Sequence, residues 1–323
     1  MISDTLADTL WVVRSAGERT TELCETLIRR WAPAENVRVI HERPFSAAVR
    51  KGFELGIASG LRWTYCIDAD VLLLEREVME QLRLAETLED NVFCVQGLVY
   101  GKFLPIKRPA GNHLYRNALV ERALPLIPSD GHALRPESVT TQAMKDQGYV
   151  TYQTNVVLGL HDYEQYYLDI YRKCFLHVNK HEEALMPMVE SHWRKHRATD
   201  QDYEVALLGA LMGKVHQGTV YIDKHFQEEE GQRALALKNI AEKPPLSLSE
   251  YSPEKIRSIA QQFRSVERVQ QYKNPRYREN YVRDTPVSVR VSLLRRVSSA
   301  LLLLLGKIFF RIGKRLSRLA RKI

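Results

Sequence analysis

Along the chain, short apolar runs alternate with longer stretches in which apolar residues recur every three or four positions. Residues 9–14 (TLWVVR) form an apolar run rich in β-branched and aromatic residues and predict a strand. The periodic stretch 20–31 predicts the helix that follows it. The same order continues with a strand at 36–41, a helix at 46–59, a strand at 63–67, a helix at 76–89 and a strand at 92–98. Such alternation implies a mostly parallel α/β sheet, Rossmann-like and flanked by helices, with ligands held at the carboxyl ends of its strands. Residues 101–112 carry Gly and Pro and are long enough for an active-site loop. Beyond them the pattern predicts helices at 117–123 and 138–147, a strand at 149–158 and an apolar helix at 203–212, while 161–181 is rich in aromatic and charged residues. The run 243–253 reads as a linker, with Ser252 placed to cap a helix that starts at Pro253. The organisation expected is a catalytic domain at 1–225, a helical or linker extension at 226–286 and a basic segment at 287–323.

Charge changes this picture only at the end of the chain. Residues 287–323 hold seven Arg and three Lys and no acidic residue, against a net charge of +8 for all 323 residues, so the body carries about −2. The basic character belongs to the tail and says nothing about nucleic acid at the body. The four cysteines are scattered without C-x-x-C spacing, which fits a reduced, cytoplasmic setting, and the first twenty residues lack the pattern of a secretory signal.

The chemistry centres on Asp68-Ala69-Asp70. Two carboxylates at i and i+2 point to opposite faces of a continuing strand, so both serve one site only where the strand gives way to a loop. There they can hold a hard divalent cation such as Mg2+ or Mn2+, which in turn grips a diphosphate. The alternative is that the pair caps the next helix.

The pattern TLWVVRSAGER, a strand, AAVRKGFELGIASG and then WTYCIDADVLLL resembles the nucleotide-sugar-binding half of GT-A glycosyltransferases, especially the bacterial family 2 type. The resemblance covers residues 9–80 well and 100–180 more loosely, and Val71 stands where many relatives carry a third acidic residue. It implies a GT-A fold, a nucleotide-diphosphate-sugar donor with UDP-sugar favoured, Asp70 as a metal ligand and Asp68 near ribose or metal. His161, after a strand and a glycine, is similar to the later histidine that completes the metal site, the alternative being an aromatic cluster with Tyr163, Tyr166 and Tyr167. Glu137 is similar to the acidic position before the acceptor-side helix and is a candidate base; its alternative is a partner for the helix dipole. Asp162, Asp200 and Asp202 are its rivals. For the nucleotide sugar, the resemblance points to Arg14, Ser15 and Arg19 after the first strand, Glu42 and Arg43 after the second, Arg50 and Lys51 on the next helix, and Ala69 between the aspartates. His113, Tyr115 and Arg116 are candidates for the acceptor, the alternative being an ordinary loop.

In the tail, Lys307, Arg311, Lys314, Arg315, Arg318 and Lys322 recur every three or four residues, with Phe309, Ile312, Leu316 and Leu319 between them. The apolar run 297–306, bounded by Arg296 and Lys307, would cover about 15 Å as a helix, half a hydrocarbon core. The pattern predicts a basic amphipathic helix lying on an anionic membrane surface, peripheral on the inner face of the cell membrane. A partner-binding or oligomerising helix is the alternative, and no nucleic acid is expected. Together these readings predict a metal-assisted glycosyltransferase acting on a saccharide or lipid-linked acceptor in cell-envelope polysaccharide or glycolipid synthesis. The competing function is a membrane-recruited nucleotide-sugar-binding or scaffold protein without turnover.

Overall fold

The computed structural model of the chain describes residues 2–264 apart from 131, 134, 182–184, 219 and 221. The tail positions Arg296, Lys307, Arg311, Lys314, Arg315 and Arg318 lie outside the described residues. In chain order the first elements are α1 (Ile2–Ala7), β1 (Thr9–Arg14), α2 (Thr21–Arg29), β2 (Val37–Ile40), α3 (Phe45–Ser59), β3 (Trp63–Asp68), β4 (Val71–Leu73) and α4 (Glu75–Glu86). They are followed by β5 (Val92–Gly101), β6 (Lys107–Arg108), β7 (Asn112–Arg116), α5 (Asn117–Ala123), α6 (Pro136–Asp146) and β8 (Val150–His161). The last are α7 (Tyr167–Lys180), α8 (Met186–His196), α9 (Gln201–Val215), α10 (Glu228–Leu237) and α11 (Pro253–Arg264).

The strands form one mixed sheet in the order β2-β1-β3-β7-β5-β8-β4, with β6 paired to β5. β1 runs parallel to β2 and β3, and β5 runs parallel to β8. β7 is antiparallel to both β3 and β5 and so joins the two parallel halves. Every residue of β1 is buried, as expected for a strand covered on both faces. Its alternate side chains divide between two cores. Trp11 and Val13 meet Leu23 and Ile28 of α2 and Val78 and Leu82 of α4. Leu10 and Val12 meet Val49 and Phe53 of α3, Val120 of α5 and Met144 of α6. Ile256, Ile259 and Ala260 of α11 join the first of these cores, so the chain returns to the sheet after the proline-bearing run. A third core belongs to the helices after β8, with Ile170, Cys174, Trp193, Val205 and Ala206 at its centre. Among the described residues no helix is long and apolar enough to cross a membrane.

Two segments differ from their sequence reading. Residues 112–116, expected either to face the acceptor or to be an ordinary loop, are the central strand β7, fully buried. The segment 161–181, which carried no assigned element, contains α7. Its buried positions Ile170, Tyr171, Cys174 and Val178 recur at helical spacing, but their partners lie on α8 and α9 and are remote in sequence. The short strand β4 also went unrecognised. It pairs antiparallel with the end of β8, placing Val71 opposite His161 and Leu73 opposite Gly159. Gly159 permits that pairing: a Cβ there would lie 2.0 Å from the Leu72 carbonyl oxygen.

Candidate active site

The carboxyl ends of β1, β3 and β8 open on a cavity of about 1100 Å3. Asp70 sits in the turn between β3 and β4, and the β4–β8 pairing carries His161 and Asp162 up beside it. The Asp162 amide donates to the Asp70 carbonyl at 3.1 Å. Asp162 adopts φ 64°, a left-handed conformation uncommon outside glycine that bends the chain sharply at the end of β8.

Asp70, His161 and Asp162 each offer one ligand atom, and these atoms lie within 4.8 Å of one another. His161 Nε2 is 3.7 Å from Asp70 Oδ1, and His161 Nδ1 is 2.6 Å from Asp162 Oδ2. At metal–ligand distances of about 2.1 Å, neighbouring ligands stand about 3 Å apart and opposed ones about 4 Å, so this spacing suits a small octahedral cation. Two observations favour a cation there. Asp70 Oδ1 is buried without a hydrogen-bond partner. The Lys173 ammonium of α7 lies between the two carboxylates, donating to Asp70 Oδ2 and Asp162 Oδ1 at 2.5 Å each, where a metal ion would supply the same positive charge. Burial would raise the Asp70 carboxyl, but Lys173 and His161 outweigh it and hold its pKa low. Asp162 is driven lower still by His161 and Lys173 against the same cost of burial.

The other aspartate belongs to a different network. Arg14, at the end of β1 and 4% exposed, donates from Nε to Asp68 Oδ1 at 3.0 Å. The same guanidinium grips Glu137 with both nitrogens, Nη1 to Oε1 at 2.5 Å and Nη2 to Oε2 at 3.2 Å. Tyr115 Oη also donates to Glu137 Oε1, at 2.9 Å. Burial opposes charge on Glu137, yet the Arg14 charge, with the hydrogen bonds from Arg14 and Tyr115, outweighs it and keeps the carboxylate ionised. Both its oxygens are engaged, so Glu137 is placed to brace Arg14. Asp68 is half-buried, and burial pushes its carboxyl up to about 6 despite Arg14, with Asp70 and Glu137 adding to the rise. Burial also holds the His113 imidazole down to about 4, so it is neutral at pH 7.

Of the positions singled out from the sequence, Arg14, Ser15, Glu42, Arg43, Asp68, Asp70, His113, Glu137, His161 and Asp162 all line this cavity. Others do not. Arg19 turns away to Glu164 and the Pro244 carbonyl, and Arg50 faces the Leu124 carbonyl. Lys51, on the same helix, is likewise outside the lining. Ala69 is buried behind it, its carbonyl accepting from Thr20 Oγ1. Tyr115 is buried in β7, its ring against Phe53 and Phe93 and its hydroxyl on Glu137. Arg116 is a correction: it opposes Trp63 at the start of β3, the far end from Asp68, and donates to the Leu88, Glu89 and Val92 carbonyls. Asp200 and Asp202 pair with Lys102 away from the cavity. Lys173 had escaped the sequence reading, as had His177, Lys180 and Arg108, all of which line the cavity. Lys173, His177 and Lys180 recur at i, i+4 and i+7, the one signal that would have marked them.

No family model and no curated protein matches the sequence. Among solved structures, the chain is similar to the mannosyltransferase PcManGT from Pyrobaculum calidifontis in complex with GDP-Man and Mn2+, with 14% identity and a TM-score of 0.37 over 81% of this chain and 87% of that one. It is similar to a glycosyltransferase involved in the glycosylation of the major capsid of PBCV-1, with 12% identity and a TM-score of 0.33 over 48% of this chain and 82% of that one. A third similar structure is A197 from STIV, with 13% identity and a TM-score of 0.32 over 46% of this chain and 82% of that one. At such TM-scores the likenesses are distant. On its own strand order, the chain has the α/β sheet flanked by helices expected from its sequence, with Asp68 at the end of β3.

Proposed function

We propose that the protein transfers a sugar from a nucleoside-diphosphate sugar to a saccharide or lipid-linked acceptor, with Mn2+ or Mg2+ held by Asp70, His161 and Asp162. The observation that carries this reading is the meeting of those three side chains, with a lysine ammonium already between two of them, on the floor of a large cavity at the strand carboxyl ends. When bound, such a cation neutralises charge on the diphosphate leaving group. Around it Arg14 and Lys173 bring fixed positive charge, and Ser15, Glu42 and Arg43 line the side on which β1 and β2 end, where the nucleoside fits. His161 Nδ1 faces Asp162, which orients the ring and leaves Nε2 toward Asp70. UDP is the favoured nucleotide, on the sequence resemblance alone.

The basic tail supports a further part of the proposal: the enzyme works at the cytoplasmic face of an anionic membrane, on cell-envelope polysaccharide or glycolipid. Binding without turnover is the second reading. It is favoured by the engagement of both oxygens of Glu137 and Asp162, which leaves neither carboxylate open to take a proton. The test is thermal unfolding with UDP- and GDP-sugars, with and without Mn2+, beside an assay for nucleoside diphosphate release. Transferase activity requires both stabilisation and release. Stabilisation alone establishes the binding protein, and no shift at millimolar ligand rejects both.

A further inference from the structure

The proposed chemistry uses the carboxyl ends of β1, β3 and β8 and leaves the earlier part of β8 without a role. β1 is buried at every position, whereas positions 150–157 of β8 are exposed or half-buried except Thr154, although β5 pairs with them. Thr151, Gln153 and Asn155 alternate along the strand and so share one face, and all three line the cavity. Gln96 of β5 stands in register with Gln153 and lines the cavity beside it. A strand covered by helices on both faces is apolar, so a row of carboxamides and a hydroxyl on an open face suits a polar occupant.

The side chains of Gln96, Thr151, Gln153 and Asn155 have no hydrogen-bond partner among the described residues. Each carboxamide and each hydroxyl both donates and accepts, which complements a ring that carries several hydroxyl groups. None of the four brings the fixed charge that would select a phosphate or a carboxylate. Half-buried Tyr149 lines the same stretch and presents an apolar ring with a polar tip. From α6, Ser138, Thr141 and Gln142 line the cavity as well, with Lys145 at the exposed end of that row. Distance sets the size of the occupant. At about 3.3 Å per residue, Asn155 lies up to about 20 Å along β8 from His161, and Thr151 up to about 33 Å. A ligand whose reacting hydroxyl is at the triad therefore reaches this row only through several sugar rings. The cavity has room for such a chain beside the donor, because its volume of about 1100 Å3 exceeds the roughly 300–1,000 Å3 of a pocket for one small ligand.

We infer that Gln96, Thr151, Gln153 and Asn155, with Tyr149, form a track that holds an uncharged oligosaccharide acceptor several rings back from the hydroxyl that receives the sugar. The inference rests on the transferase reading, in which the reacting end of the acceptor lies at the triad. Its consequence is that the enzyme extends a glycan chain and does not place a first sugar on a monosaccharide or a bare lipid. A free chain and a lipid-linked chain present the same hydroxyls to the track.

The test uses the full chain with Mn2+ and UDP and measures, by calorimetry, the binding of disaccharides and hexasaccharides of mannose, glucose and N-acetylglucosamine. At least one hexasaccharide should bind, tenfold or more tighter than its disaccharide. The double variant Gln153→Ala/Asn155→Ala should weaken hexasaccharide binding by tenfold or more, with disaccharide and UDP affinities changed less than twofold. A loss confined to long chains is a pattern that a merely structural role would not produce. Gln96→Leu repeats the test from β5. Both β8 side chains are exposed, so the double variant should fold, and circular dichroism checks that it does. A hexasaccharide on a polyprenyl diphosphate in detergent separates the sources: tighter binding than the free chain identifies a lipid-linked acceptor, and equal binding a free one. Hexasaccharide binding indifferent to the variants, an equal loss for short and long chains, or no binding of any hexasaccharide at millimolar concentration overturns the track. Failure of UDP and Mn2+ to bind wild-type protein overturns the transferase reading instead, and oligosaccharide titrated alone still reports on the track.

Discussion

The main-chain amide of Asp162 donates to the carbonyl of Asp70, so the two carboxylates that Lys173 bridges are joined through the backbone as well as through their side chains. The hydrogen bond extends the β4–β8 ladder by one step beyond His161. It makes the geometry of the cation site a property of strand pairing rather than of a free loop, and several expectations depend on it.

Replacing Asp70 by Asn should remove the stabilisation that Mn2+ confers and lower nucleoside diphosphate release by on the order of 100-fold. Lys173→Met should act differently. It removes the charge that competes for Asp70 and Asp162, so Mn2+ should bind more tightly than to wild-type protein while metal-free protein loses stability. Calorimetric titration of Mn2+ into the three proteins checks both outcomes.

Gly159→Ala should break the site from a distance. The added Cβ would meet the Leu72 carbonyl oxygen at 2.0 Å, and backbone cannot yield as a flexible side chain can. We expect a loss of about 3 kcal/mol in urea unfolding, together with weakened Mn2+ binding, because β4 must move away from β8.

Glu137→Leu should destabilise the fold by about 2 to 3 kcal/mol, since it strips the buried Arg14 guanidinium of its bidentate partner and leaves it Asp68 as counter-charge. The double variant Arg14→Met/Glu137→Leu should lose less than the two single losses combined, because the Arg14–Glu137 pair is broken in each single variant and counts only once in the double. A denaturation cycle over the four proteins measures the coupling.

Stability should fall as pH drops from 7 toward 4. In the fold, burial holds His113 and His192 down to about 4, against 6.5 for an ordinary imidazole. The unfolded chain therefore binds more protons between those values, and the stabilisation present above pH 6.5 is lost as pH falls through them. Asp68 works in the opposite sense. Its carboxyl is pushed up to about 6 from 3.8, so the fold holds that proton more tightly, a contribution present at low pH and lost as pH rises through 6. The imidazoles outnumber it, and His113→Gln should flatten the acid side of the curve measured by thermal unfolding.

Vesicle co-sedimentation tests the tail. The full chain should bind vesicles containing anionic lipid and leave neutral ones, and adding salt should release it. Changing Arg311, Lys314, Arg315 and Arg318 to Gln should weaken binding by about 1 kcal/mol per residue. Equal binding to neutral vesicles would argue against the electrostatic reading.

The first half of the fold was legible because its elements are local and strongly patterned. The strands at 9–14 and 63–67 and the helices at 46–59 and 117–123 match β1, β3, α3 and α5 within a residue. A strand covered on both faces is apolar throughout, and a helix on a sheet shows its period, so each announces itself in a short window. β7 did not, because it follows a Gly/Pro-bearing segment and carries Asn112, His113 and Arg116, polar side chains at odds with a fully buried strand. Asn112 is held by Gly97, and Arg116 by the carbonyls after α4.

By itself, the sequence determined the α/β order, the loop that carries Asp68 and Asp70, the candidacy of His161 and Asp162, and the concentration of positive charge beyond residue 286. Only the tertiary structure separated the two aspartates, giving Asp70 to His161, Asp162 and Lys173 and giving Asp68 to Arg14 and Glu137. It alone excluded Arg116 from the cavity and brought the basic face of α7 into it. The physical reason is that local pattern reports burial, which neighbouring residues share, whereas a charged side chain takes its role from whichever opposite charge the sheet order sets within a few ångströms, and that neighbour can lie a hundred residues away.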